Sequence, residues 1–371
     1  MIKICHVTSV HDTNDVRIFK KECVSLAKKK EYEVYLVGPG CENKEESDVK
    51  IIGAGERPAR RIDRMIHYAP KVINKAIGVD ADIYHFHDPE LLKHVLKFKK
   101  KSKKVIFDSH ENILDSIDEK QYLPWILRKA AKLCFMFLQW KVLRKIDAII
   151  VVSPQMIDTY KKYNRNVFLI SNYPIIDNID SDLSVETVKG RFVFAGGVRK
   201  EWCHKEIINA LNNIDGTEYY LFGPEEDNYI EELKDLDGWR KVHYGGRIPF
   251  EQVQQEIRKA QFAFAILRPN KNSFGHEGTL GNTKLFESMV NGKPVIATDF
   301  VLWKDIIEKN DCGICVDPSN QTEIENAIRY FIECSDDRVL QMGQNGRKAV
   351  LEQYNWSKQE EILFKAYRDL C

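Results

Sequence analysis

The sequence predicts an α/β protein made of two Rossmann-like, doubly wound domains facing a central cleft. Three observations predict it. The chain has 371 residues, and domains usually run ~100–200 residues, so two domains is the default. Short β-rich runs alternate with longer amphipathic stretches from end to end, the pattern of layered strands and helices. Most of the short runs are apolar without alternation, as expected of parallel strands buried on both faces.

In chain order, the first half offers strands at Ile2–Val7, Val34–Val37, Ile83–Phe86, Val105–Asp108, Ala148–Val152 and Val167–Ile170. The second half offers Phe192–Ala195, Tyr219–Phe222, Phe262–Ile266, Val295–Thr298 and Ile314–Val316. Helical patterns lie between them, such as Val16–Lys29, Phe250–Ala260 and Gln321–Glu333. Asn172–Lys189 carries Pro174 and the polar set Asp177 to Asp182 with little periodicity, and reads as a linker. The first domain is expected over 1–175, the second over 176–354, and a last helix over 355–371. Open α/β sheets bind ligands at the carboxyl ends of their strands, so the turns after each strand are the places to search.

Composition excludes several classes. Hydrophobic residues make up 43% and charged residues 30%, ordinary for a globular chain. A formal net charge of +1 speaks against a nucleic-acid partner. No apolar run approaches the ~20 residues of a spanning helix. The chain starts directly in a strand-like run, so no secretory leader is expected. Cys312 and Cys315 form a CxxC without a second pair of ligands, which reads as apolar packing rather than a zinc site.

The turns hold the chemistry. Phe192–Ala195 runs into Gly196-Gly197, then Arg199 and Lys200. Glycines there let backbone approach a phosphate, and the cations either neutralise it or are simply solvated. A loop with Gly275, Gly278 and Gly281 leads through Asn282 and Thr283 into a helix carrying Lys284 and Glu287. Backbone N–H groups, the helix dipole and Lys284 suit an anion, and Glu287 suits ribose hydroxyls; the alternative is an ordinary surface Lys–Glu pair. In the first half, His85-Phe86-His87-Asp88 and Asp108-Ser109-His110-Glu111 follow two strands, and each histidine is either a site residue or a satisfied turn residue. Either Asp15 and Arg17, in the first loop, face the cleft, or Asp15 simply caps the next helix. Asp80-Ala81-Asp82 has an Asp-x-Asp spacing but precedes its strand, the wrong end of the sheet for a metal site. Seven lysines lie between Lys93 and Lys104, and Tyr122–Lys145 mixes Trp125, Leu127, Phe135, Phe137 and Trp140 with six cations. Such a helix either lies on an anionic membrane or packs with a solvated basic edge.

These residues resemble the retaining family-4 glycosyltransferases of the GT-B fold, in a branch that builds bacterial polysaccharides. The resemblance rests on His11-Asp12-x-x-Asp15-x-Arg17-Ile18-Phe19-x-Lys21-Glu22, His85-x-His87-Asp88-Pro89, Asp108-x-His110-Glu111 and Ile149 to Ser153. In the second half it rests on Leu221-Phe222-Gly223-Pro224, Tyr244-x-Gly246-Arg247-Ile248 and, most specific, Lys284-Leu285-Phe286-Glu287 through Gly292-Lys293-Pro294. It implies a first domain that binds the acceptor, a second that binds the nucleotide sugar, and a last helix crossing back onto the first. It implies transfer from a UDP- or GDP-sugar to a glycan or polyprenyl-linked glycan, with retention and with neither metal nor cofactor. Glu287 is expected on the ribose and His110 beside the transferred sugar. Gly196, Gly197, Arg199, Lys200, Gly223, Arg247, Gly281, Asn282 and Thr283 complete the donor site. Lys284 joins His110 and Glu277 in catalysis, and Asp15, Arg17, His87, Asp88 and Glu111 fall on the acceptor side. Two departures stand out. The family's first glutamate falls on Thr279, with Glu277 as its substitute, and the family's phosphate cations fall near Gly197 and Trp202-Cys203. The departures suggest as an alternative a degenerate subunit serving a partner enzyme, and the runner-up among enzymes is an epimerase or hydrolase on the same scaffold. The expected location is the cytoplasm, at the inner face of the plasma membrane.

Overall fold

The computed structural model describes residues 1–118, 124–176 and 185–370. The expected linker residues Asp177 to Asp182, and Tyr122 of the basic aromatic stretch, lie outside them. Two compact units form: Met1–Asn172 with Trp356–Cys371, and Tyr173–Asn355.

The first unit holds β1 (Ile2–Val7), β2 (Tyr32–Gly38), β3 (Lys44–Glu46), β4 (Val49–Gly53), β5 (Ile83–Phe86), β6 (Lys104–Ser109), β7 (Ala148–Val151) and β8 (Val167–Leu169). Their order is β3-β4-β2-β1-β5-β6-β7-β8, all parallel except β3. Chain order reverses between β1 and β5, and that is the switch point where open α/β sheets bind ligands. The register there sets His6 beside His85. Helix Trp356–Arg368 packs on this unit: Trp356 Nε1 donates to Ser25 Oγ at 2.9 Å, and Ser171 N donates to Gln359 Oε1 at 2.8 Å.

The second unit holds β9 (Arg191–Ala195), β10 (Glu218–Phe222), β11 (Val242–Gly246), β12 (Phe262–Ala265), β13 (Val295–Thr298) and β14 (Gly313–Val316), all parallel, in the order β11-β10-β9-β12-β13-β14. Its switch point lies between β9 and β12. Phe192 and Phe262 stack across these two strands at 4.1 Å, and Phe194 and Phe264 are buried beside them. Burial of such rings on both faces is why the runs read as unbroken apolar segments.

Three strands escaped the sequence pattern: β3, β4 and β11. The expected helix at Val16–Lys29 is wound as a π-helix over Val16–Cys23, then as an α-helix over Val24–Ala27. The wider turn brings Arg17 and Glu22, five residues apart, to the same buried side.

Candidate functional site

In the second unit, the turns after β9, β10 and β11 are laced together through backbone. Gly196 N donates to the Phe222 carbonyl at 2.8 Å, and Gly223 N to the Gly246 carbonyl at 2.7 Å. Gly223 sits at φ +138°, and a Cβ there would fall 1.8 Å from the Gly196 oxygen. No other residue fits that close approach. The Lys284 chain lies over Gly196, where a Cβ would meet its Cε at 2.0 Å.

Lys284 opens helix Lys284–Val290. Its ammonium stands 4.8 Å from the Trp202 ring centre, an attractive cation–π distance. Burial lowers its pKa, which the charge of Glu287 partly opposes. Among the described residues the ammonium has no hydrogen-bond or ion-pair partner. Glu287 is half-buried one turn later, likewise without an ion pair among the described residues. This pair is therefore not the surface Lys–Glu bridge that spacing alone allows.

The other expected donor residues divide. Arg199 is ion-paired with Glu226 at 2.5 Å and Glu201 at 3.6 Å, and Lys200 with Glu232 at 2.6 Å. Exposed pairs contribute ~0–1 kcal/mol, so an anion readily competes for these cations. Arg247 is exposed. Asn282 Oδ1 accepts from Lys284 N at 3.1 Å and steadies the helix start. Thr279 is locked into a turn: its hydroxyl accepts from Gly281 N at 3.1 Å and its carbonyl from Trp303 Nε1 at 2.8 Å. Glu277, two residues earlier, is exposed.

In the first unit the carboxyl ends of β1, β5 and β6 converge. Arg17 donates to both Asp108 oxygens, at 3.0 and 3.1 Å, and to the Ile170 carbonyl at 3.0 Å. Arg17 was expected on the acceptor side; its guanidinium is instead buried and committed to this core. Asp15 resolves toward its alternative, accepting from Arg17 N and Ile18 N at 2.9 Å as a helix cap. Asp88 accepts from the Thr8 hydroxyl at 2.8 Å and Ser9 N at 2.6 Å, so it tethers the first loop. Glu111 is exposed. Asp80 and Asp82 are structural: Asp80 pairs with Lys103 at 2.9 Å, and Asp82 accepts from Lys3 N at 2.8 Å.

His110 Nε2 lies 3.1 Å from Asp108 Oδ2 and 3.4 Å from His87 Nδ1. Burial opposes charge on Asp108, yet Arg17 and His110 beside it hold its carboxyl well below the usual range. His110, one-fifth exposed, lines a cavity of about 470 Å³ together with His11, Arg61, Arg64, Lys93, Phe135 and Leu138. His87 is fully buried rather than a turn residue, and burial lowers its pKa to about 4. Sequence reasoning missed His11, whose ring centre is 5.1 Å from that of His110. Burial lowers its pKa, but the Asp15 hydrogen bond and Asp88 outweigh it and leave the pKa raised. Sequence reasoning also left out His6 and Glu22, which the structure places beside His85 and His87. The signal was present only in register: nothing short of strand pairing puts His6 beside His85.

Residues 22–173 match the model for Glycosyltransferase Family 4, and residues 176–349 the model for Glycosyl transferases group 1. No curated protein matches the sequence. Among solved structures, sucrose-phosphate synthase from Thermosynechococcus elongatus is similar at a TM-score of 0.76 and 15% identity, covering 100% of this chain and 99% of that one. Anabaena HepE in complex with UDP-glucose gives 0.70 and 14%, covering 100% of both. WaaG, a glycosyltransferase involved in lipopolysaccharide biosynthesis, gives 0.69 and 12%, covering 98% of both. With one such domain on each of its two Rossmann-like units, the chain belongs to the GT-B glycosyltransferases.

Proposed function

We propose that the chain moves a sugar from a UDP- or GDP-sugar to a glycan or lipid-linked glycan, with retention, in the assembly of cell-surface polysaccharide. One observation carries the reading most: Lys284, a half-buried cation without a hydrogen-bond or ion-pair partner among the described residues, over a glycine turn at a switch point. A cation held in place before the reaction stabilises a departing diphosphate without reorganising, and one such group contributes ~2.7–4 kcal/mol. Arg199 and Lys200 add charge once released from Glu226 and Glu232. Glu287 takes the ribose, and Glu277 the sugar ring. The leaving phosphate helps to deprotonate the acceptor hydroxyl, so no carboxylate nucleophile is needed. His110 hydrogen-bonds the sugar near its anomeric carbon. The neighbour HepE was solved with UDP-glucose, which favours UDP among the two nucleotides.

Calorimetry with UDP and GDP tests the site. The wild type binds one of them, and Glu287→Ala loses most of that affinity and most activity. Unchanged affinity in Glu287→Ala removes Glu287 from the site, and no binding of either nucleotide by the wild type favours a degenerate subunit. Product analysis with lipid-linked acceptors completes the test: an epimer formed without acceptor consumption overturns transfer.

A further inference from the structure

The core of the first unit contains a cluster that sugar transfer does not use. His6 on β1 and His85 on β5 are register partners, His87 follows β5, and Glu22 comes from the π-helix Val16–Cys23. All four are buried, at 0 to 2% exposure. Each turns one ligand atom inward, and the four atoms lie within 4.8 Å of one another. Glu22 Oε2 is 3.8 Å from His6 Nδ1, 3.7 Å from His85 Nδ1 and 3.9 Å from His87 Nε2, and the last of these is 3.0 Å from His6 Nδ1. Four ligands about 2.0–2.1 Å from a tetrahedral ion stand about 3.4 Å apart.

We propose that His6, His85, His87 and Glu22 bind a first-row divalent transition metal, zinc by the nature of its ligands. Three arguments support this. Among the described residues Glu22 Oε2 has no hydrogen-bond partner although it is buried, a costly state for a carboxyl oxygen that a cation relieves. Three far atoms are already held: His6 Nε2 is 3.1 Å from the Tyr367 hydroxyl, His87 Nδ1 is 3.5 Å from Asp108 Oδ2, and Glu22 Oε1 is 3.2 Å from Arg17 Nε. A carboxylate behind a ligating histidine is the usual outer arrangement of a metal site, fixing ring and tautomer. Finally, Glu22 and Asp108 bring two carboxyl groups to the single guanidinium of Arg17, an excess that either a proton on Glu22 or a bound cation relieves. Three nitrogens and one oxygen suit zinc or its first-row neighbours, whereas calcium and magnesium prefer oxygen throughout. The ion would hold His87, and His87 stands 3.4 Å from His110, so its role is positioning.

The rival is a cluster joined by hydrogen bonds alone, with Tyr367 hydroxyl 2.8 Å from His85 Nδ1 as its centre. Elemental analysis of protein purified without a histidine tag decides between them. The expected result is about one zinc or other first-row ion per chain, removed by a chelator under native conditions and regained from added Zn²⁺ with a rise in Tm. Glu22→Gln and His85→Gln should hold less than about a tenth of that metal. Tyr367→Phe should keep it, because Tyr367 contacts His6 and His85 without being a ligand. Protein that arrives metal-free and takes up none of Zn²⁺, Mn²⁺, Fe²⁺, Co²⁺ or Ni²⁺ overturns the proposal, as does full metal content in both ligand variants. Stripping and reloading of the wild type decides the matter even where a variant does not fold.

Discussion

At the scale of single residues, His110 combines exposure to the cavity with a charged partner, Asp108 at 3.1 Å. The proposed contact of His110 with the sugar is one that gains strength as charge develops, so losing it should lower kcat more than it raises donor KM. His110→Ala should fold, bind nucleotide as before, and transfer sugar at least ~100-fold more slowly, as for loss of one positioned polar group. Near-normal kcat with the true donor and acceptor would sink that assignment. A second residue reports on the other unit. His204 is fully buried, 2.9 Å from the Tyr219 hydroxyl, and burial followed by the nearby Lys284 charge pulls its pKa from 6.5 to about 3. Between those values the unfolded chain binds a proton that the folded chain does not, so stability falls as pH drops below 6.5. From pH 7 to pH 5 this one group should remove about 2 kcal/mol. Denaturation of wild type and His204→Gln at both pH values checks it: equal losses would refute the role of His204. Which residues could be read from the chain follows the same physics. The places of Lys284 and Glu287 at the start of a helix and of His110 just after a strand were legible, because helix starts and strand ends are local features. The paths of Arg17 to Asp108 and of His6 to His87 span 91 and 81 residues, and no local pattern encodes them.

At the scale of elements, the buried strands were legible to within a residue or two, because both faces are covered and their sequences are unbroken apolar runs. The strands that were missed lie at a sheet edge or next to one. β4 alternates buried and half-buried residues, β3 is wholly exposed, and β11 reads Val-His-Tyr-Gly-Gly with two exposed positions. An edge needs no continuous apolar run, so the pattern there is weak. The helix Trp125–Leu143 is the opposite case, apolar where solvent lies. Trp125, Ile126, Leu127, Leu133, Phe137 and Trp140 are each more than half exposed. The stretch from Pro124 to Ile146 carries six cations and no acidic residue. No helix among the described residues is long and apolar enough to cross a membrane. A surface of this kind favours an anionic bilayer, by about 1 kcal/mol for each cation near it. The double change Lys129→Glu and Lys141→Glu should therefore weaken binding to vesicles containing anionic lipid by at least ~30-fold, with Trp140→Ser weakening it further. Cosedimentation at low and high salt measures this, and wild-type protein that ignores anionic vesicles removes the membrane from the reading.

At the scale of the whole molecule, the C-terminal helix belongs to a different unit from the residues that immediately precede it. Residues 173–355 form the second unit, and Trp356–Cys371 pack with residues 1–172. The packing is extensive: Trp356, Leu363, Phe364, Ala366, Tyr367 and Leu370 are buried. Tyr367 also reaches His85 at 2.8 Å and His6 at 3.1 Å, at the switch point of the first sheet. Burying one large apolar side chain contributes about 1.5–3 kcal/mol, so losing five of them exceeds much of the 5–15 kcal/mol by which a domain is stable. A chain ending at Asn355 should therefore lose its first unit and keep its second, although the deleted segment is joined to the second. The second unit has its own core, including Phe192, Phe262, Trp303 and Phe331, with no member from that helix. Hydrogen exchange separates the two outcomes. Amides of β1, β5 and β8 should exchange with unfolded-like rates in the truncated chain, while those of β9, β12 and β13 keep wild-type protection. UDP or GDP binding, proposed for the second unit, should survive the same truncation even as transfer is lost. Loss of protection in β9 and β12 together with β1 and β5 would show that the two units fold as one cooperative body and that the C-terminal helix stabilises both.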